Sequence, residues 1–83
     1  MTPPTWLTTR DGSLKRGLSP HTLFVVYGGK PQYRLDVRPA GGQFTCDITQ
    51  TVNGHRLDDE HKQPSEDAAF AAGLETLRAK LGW

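Results

Sequence analysis

Eighty-three residues suffice for one domain around one small core, of a kind that is stable by roughly 3–5 kcal/mol. A formal charge of +1 directs the chain to neither a polyanion nor a membrane surface, and a single cysteine, Cys46, excludes an internal disulfide framework and suits a reducing compartment. No apolar run approaches the roughly 20 residues that span a bilayer. The opening "MTPPTWLTTRDG" lacks the basic and apolar regions of a secretory signal, so a cytoplasmic protein with no membrane association is expected.

Charge is unevenly distributed along the chain. Residues 1–42 carry six Lys/Arg against two Asp, whereas residues 43–83 carry four Lys/Arg against seven Asp/Glu. Residues 1–20 contain Pro3, Pro4, Gly12 and Gly17, which oppose a conventional helix. They read as an extended or irregular segment anchored by Trp6 and Leu7, and residues 21–83 as a single ββββα domain. "HTLFVVY" (21–27) is β-branched and aromatic, too short for a helix, and reads as a buried strand.

After a Gly28-Gly29 turn, "PQYRLDVR" (31–38) alternates strictly. Tyr33, Leu35 and Val37 share the core face; Gln32, Arg34, Asp36 and Arg38 share the solvated one. "QFTCDITQTV" (43–52) alternates as well, placing Phe44, Cys46, Ile48 and Val52 inward. Asn53-Gly54 signals a tight hairpin and a fourth strand over residues 55–59, with Leu57 on the core side.

Ser65 is placed to cap a helix whose first turn carries Glu66 and Asp67, where the helix dipole favours anions. Phe70, Leu74, Leu77 and Leu81 form one apolar stripe. Arg78 and Lys80 occupy the last turn, and Gly82 is placed to end the helix in a left-handed conformation. Gly73, costing about 1 kcal/mol against alanine in a helix, points to a close approach to the sheet. The expected fold class is α+β: a four-stranded antiparallel meander with one C-terminal helix packed on one face.

The segment "FTCDITQTVNGHRLDDEHKQPSEDAAFAAGLETLRAKL" (44–81) resembles the C-terminal strand–hairpin–helix half of double-stranded-RNA-binding domains. The resemblance implies that architecture. The family meets RNA phosphates through a basic motif opening the helix; here those positions hold Glu66, Asp67 and Phe70. Its histidine-containing loop would fall near residues 39–42, which have no histidine. Two carboxylates facing phosphate reverse what duplex binding requires, so duplex RNA is not an expected partner.

Two charged groups are candidates for partner binding. Asp58, Asp59, Glu60, Glu66 and Asp67 fall within ten residues and form a docking surface for a basic partner, or simply a solvated loop with an acidic helix start. Their spacing fits neither a calcium loop nor a zinc site. Lys30, Arg34 and Arg38 form a basic strand face, suited to an acidic protein surface or to a nucleic-acid backbone, or to nothing beyond solvation.

Cys46 has inward parity and no neighbour that would activate a thiolate. No nucleophilic triad, phosphate-binding loop or dinucleotide fingerprint occurs, and one sheet with one helix offers little of the cleft that a small-molecule substrate needs. No catalytic residue, cofactor or metal is expected. The residues point to a non-enzymatic binding or regulatory module acting through protein–protein contacts, with an unidentified protein or a second copy of the chain as partner. Nucleic-acid binding through the basic strand face is the alternative.

Overall fold

The computed structural model describes residues 2–57 and 62–83. Its elements follow in the order α1 (Thr5–Thr8), β1 (Ser13–Arg16), β2 (Thr22–Tyr27), β3 (Lys30–Ala40), β4 (Gln43–Gln50) and α2 (Glu66–Leu81). The four strands form one antiparallel sheet in sequential order, and α2 lies across one face against β3 and β4. This is the expected α+β meander, assembled from a different set of four strands.

The difference lies at both ends of the sheet. The segment read as extended or irregular contains α1 and the first strand, β1, which pairs with β2 from Ser13↔Val26 to Arg16↔Leu23. "SLKR" has a single apolar residue, Leu14, and therefore little strand signal of its own. Its conformation is fixed by pairing with β2. At the other end, the strand expected over residues 55–59 is replaced by one isolated bridge, Thr49↔Arg56, with a second at Phe44↔Gln63. Residues 58 and 59 of that expected strand lie outside the described residues.

The cause is the turn. The Gln50 amide donates to His55 at 2.8 Å and the Gly54 amide to Gln50 at 2.8 Å, so the loop comprises residues 51–54 rather than Asn53-Gly54 alone. Val52, expected inward, is consequently 80% exposed. Leu57 does pack against the core as expected.

Alternation is otherwise obeyed on the helix side, whereas Thr22 and Thr45, of outward parity, are buried as well. Leu23, Val25, Tyr33, Leu35, Val37, Cys46 and Ile48 are buried beneath α2, which contributes Ala69, Phe70, Leu74 and Leu77. Leu7 of α1 is fully buried in the same core, so the N-terminal turn helix plugs it. A register shift between Val25 and Val26 leaves Gln32 as an extra residue, so that Val25 pairs with Tyr33 but Val26 with Pro31. By this bulge Pro31 changes sides and lies on the helix-free face.

The Ser65 side chain accepts from the Ala68 amide at 3.1 Å, capping α2 as its position suggested. At the other end Gly82 is left-handed (φ 73°), its amide donating to Ala79 and that of Trp83 to Arg78, a complete Schellman closure. Among the described residues no helix is long and apolar enough to cross a membrane.

Leu77, fully buried, should dominate the stability of this core. Leu77→Ala is expected to cost about 2–5 kcal/mol, against less than about 1 kcal/mol for half-exposed Leu81→Ala. Urea denaturation in an osmolyte-stabilised buffer checks this; equal effects at the two sites would mean that α2 is rotated on the sheet.

Candidate protein-interaction face

One helix covers one face of the sheet, and the side chains of opposite parity emerge on the other. Register places Lys15, Phe24, Arg34 and Thr49 in one row across the strands, and Thr22, Asp36 and Asp47 in the next. Asp36 and Asp47 are direct cross-strand partners, a like-charge juxtaposition that would destabilise an antiparallel pair on its own.

It is compensated locally. Arg34 Nε lies 2.8 Å from Asp36, and the Thr22 hydroxyl donates to Asp36 at 2.6 Å. Arg38 Nε donates to Asp47 Oδ2 at 2.9 Å. Arg56 Nη2 reaches Asp47 Oδ1 at 3.1 Å, close enough for an ion pair though not aligned as a hydrogen bond. These pairs are partly exposed, and each contributes at most about 1 kcal/mol on the scale for surface ion pairs.

Arg34 and Arg38 therefore share the helix-free face as expected, but they are held by aspartates of the same sheet. The basic strand face read from the sequence is an interleaved ladder of both signs. Lys30 stands apart from it: it pairs with Tyr27 at the β2–β3 turn, beyond the bulge, so its parity is that of the helix side.

Of the acidic candidates, Asp58, Asp59 and Glu60 lie outside the described residues. Glu66 and Asp67 occupy the first turn of α2. Glu66 is met within the molecule by His21 Nδ1 at 2.9 Å, and both acids border a hollow shared with Arg16, Pro20, Leu23 and Phe70. The structure thus separates Glu66 and Asp67, on the helix side, from Arg34 and Arg38.

Leu18 belongs to no pattern in the sequence. It stands at the β1–β2 turn with no cover at all. With half-buried Phe24, Pro31 and the stems of Lys15 and Arg16 it borders a shallow groove of about 280 Å³ beside β1. The signal was weak: an isolated leucine in "RGLSP" carries no periodicity, and Pro31 reaches this side only through the bulge. A larger concavity of about 500 Å³ runs along Ala72, Glu75, Thr76, Ala79 and Lys80. All five belong to α2 itself, and a single helix surface supplies no opposing wall for a ligand. Among the described residues no three His, Cys, Asp or Glu side chains gather as metal ligands would.

A second aromatic grouping closes the opposite end of the molecule. Trp83 packs edge-on to Tyr27 at 5.3 Å and tilted to Trp6 at 5.9 Å, while the Arg10 guanidinium lies 4.4 Å over its ring. Arg78 Nη1 donates to the Trp83 carbonyl at 3.0 Å and is also paired with Glu75. That pairing holds the Glu75 carboxyl below its usual range and the Arg78 guanidinium above its own, in both cases first through the hydrogen bond between them. Trp83 thus ties α1, β2 and the end of α2 together, and the stacking face is occupied by the protein's own arginine. The fold and site define a small α+β domain with one covered and one open sheet face. The chain matches no family model, no curated protein and no solved structure.

Burial, then the hydrogen bond and proximity to Tyr33, push the Tyr27 phenol up to about 12. A raised folded-state value for an acid that ionises to an anion contributes stability that is intact below the ordinary phenol value of 10.0 and is lost as pH rises toward about 12. Ultraviolet titration of the phenolates should therefore resolve a late-ionising tyrosine that Tyr27→Phe removes, with stability falling above pH 10 less steeply in the variant. A Tyr27 that ionises as a free phenol would contradict its burial beside Tyr33.

Proposed function

We propose that this protein is a small non-enzymatic binding module that recognises another protein through the helix-free face of its sheet. The observation that carries this reading is the apolar groove of Leu18, Phe24 and Pro31, set at the open-edge end of a face otherwise occupied by ion pairs. A fully exposed leucine beside a half-buried phenylalanine gains free energy when covered, at about 25 cal/mol per Å² of apolar surface removed from water. The flanking Lys15 and Arg34 supply the polar rim typical of such contacts.

Buried Cys46, with a thiol packed under α2, is consistent with action in the cytoplasm. Nucleic-acid binding is the weaker reading, because Arg34 and Arg38 already spend their charge on Asp36 and Asp47. Duplex RNA is disfavoured as well, because the first turn of α2 carries Glu66 and Asp67 where phosphates call for cations.

A photocrosslinker, benzoylphenylalanine, in place of Leu18 should capture one discrete protein in cells of the source organism. That protein, purified, should bind the wild type in titration calorimetry. Leu18→Glu should weaken binding by about tenfold or more, as expected for an anchor residue, while Ala71→Glu on the exposed face of α2 should not. Unchanged affinity in Leu18→Glu, or duplex RNA retained by the wild type at low ionic strength, would overturn the reading.

A further inference from the structure

The sheet has two edges, and they are treated differently. Beside β4 the returning chain forms the bridges Thr49↔Arg56 and Phe44↔Gln63, with the Leu57 amide donating to Ile48 at 2.9 Å and those of Phe44 and Gln63 donating to each other's carbonyls. That edge is partly occupied. Among the described residues β1 pairs only with β2, and Ser13, Lys15 and Arg16 are exposed.

The pairing pattern identifies which backbone groups are left over. The Gly17 amide donates to the Thr22 carbonyl at 3.0 Å, one step beyond Arg16↔Leu23 in the same register. Hydrogen-bonded and non-bonded pairs alternate along an antiparallel ladder, so Ser13 and Lys15 turn their amides and carbonyls toward β2. Leu14 and Arg16 therefore turn theirs outward. Two residues with both a donor and an acceptor on an uncovered edge are the template for strand addition.

The side chains define what fits. On the helix-free side the edge presents Lys15, followed across the sheet by Phe24 and Arg34. Lys15 has no ion-pair partner among the described residues. On the helix side Leu14 packs half-buried against the core, and Arg16 shares its hollow with Glu66 and Asp67. A carboxylate is therefore favoured on the first side; on the second, Arg16 already has Glu66 and Asp67 beside it, and an apolar side chain would continue the core past Leu14.

We propose, resting on the binding-module reading above, that β1 accepts an extended segment of another protein as a fifth strand, one that alternates carboxylate side chains on the helix-free face with apolar side chains on the helix face. A second copy of this chain fits less well. Two-fold pairing about an axis normal to the sheet keeps faces matched: centred on Lys15 it sets Lys15 against Lys15, a repulsive cross-strand pair, and centred on Leu14 it sets Arg16 opposite Gly12, whose amide is already held by the Leu7 carbonyl. Nucleic acid also fits less well, since a phosphate backbone offers acceptors only and leaves the outward carbonyls of Leu14 and Arg16 unmatched.

The probe is a soluble heptapeptide of alternating glutamate and valine, with a lysine–valine heptapeptide and a twelve-nucleotide single strand as comparators. Titrated into isotopically labelled full-length protein, the glutamate peptide should shift the Leu14 and Arg16 amides most and slow their hydrogen exchange. The lysine peptide should not. Arg16→Pro removes one outward amide at a position where an edge strand tolerates proline, and should weaken binding by about tenfold or more. Lys15→Glu leaves the backbone intact, should weaken the glutamate peptide and admit the lysine peptide, and carries the test alone if Arg16→Pro loses its thermal transition.

Equal binding of both peptides, shifts centred away from β1, the oligonucleotide perturbing these amides in place of the peptide, or concentration-dependent dimerisation through β1 would each overturn the proposal. If the peptide fails while the partner captured at position 18 still depends on Leu18, strand addition is wrong and the binding-module reading stands. If both fail, both fall.

Discussion

The arrangement depends on a missing side chain at Gly73. A Cβ at that position would lie 2.6 Å from Cys46 Sγ, 3.0 Å from Cys46 Cβ and 3.4 Å from Leu35 Cδ2, so α2 sits on the sheet at a distance that only glycine permits. Seating the helix this deeply lets Phe70, Leu74 and Leu77 reach into the rows of Leu35, Val37 and Ile48 on either side of the contact. The glycine carries a helix-propensity cost of about 1 kcal/mol, which tight packing of a small core must exceed. From the same depth the last turn of α2 delivers Trp83 to Trp6 and Tyr27, closing the N-terminal helix onto the domain.

A single helix over four strands leaves the other face to manage itself. Chemistry differs across that face. Around β3 and β4 the facing aspartates are neutralised by Arg34, Arg38 and Arg56, with Thr22 as an additional donor, which makes the surface polar and internally satisfied. Toward β1 the charges thin out and an apolar groove takes their place, beside an edge with unmatched backbone groups. The gradient from satisfied to unsatisfied across one sheet is the physical basis for assigning recognition to the β1 end.

Much of this was legible in the residues. Strict alternation in "YRLDVR" and "FTCDI" gave the inward faces of β3 and β4, and the cap, stripe and terminal glycine of α2 all lie as their chemistry requires. Even Gly73 could be read, because a helical glycine without a compensating contact is a net loss. The N-terminal strand was not legible, since "SLKR" becomes a strand only when β2 is beside it. Nor was the four-residue loop that expels Val52: Asn53 Oδ1 accepts from the His55 amide at 2.9 Å, an asparagine turn that competes with the two-residue hairpin implied by Asn-Gly. For the candidate site, parity placed Arg34 and Arg38 correctly, but their neutralisation needed the β3–β4 register, which local pattern does not determine. Leu18 and Pro31 border one groove only because of a bulge at Gln32, again a tertiary event.

Whether α2 is seated through contact between Gly73 and Cys46 can be decided by a double-mutant cycle of Gly73→Ala and Cys46→Ala in urea denaturation. Gly73→Ala should destabilise the wild type, overpacking by about 1–3 kcal/mol outweighing the gain in helix propensity. In the Cys46→Ala background, where the sulfur is gone, the same change should be less costly by about 1 kcal/mol or more, a coupling of the size expected for touching residues. If Gly73→Ala instead stabilises both backgrounds equally by about the 1 kcal/mol that an exposed helical site would gain, the helix does not sit on Cys46 and is docked on the sheet in another way.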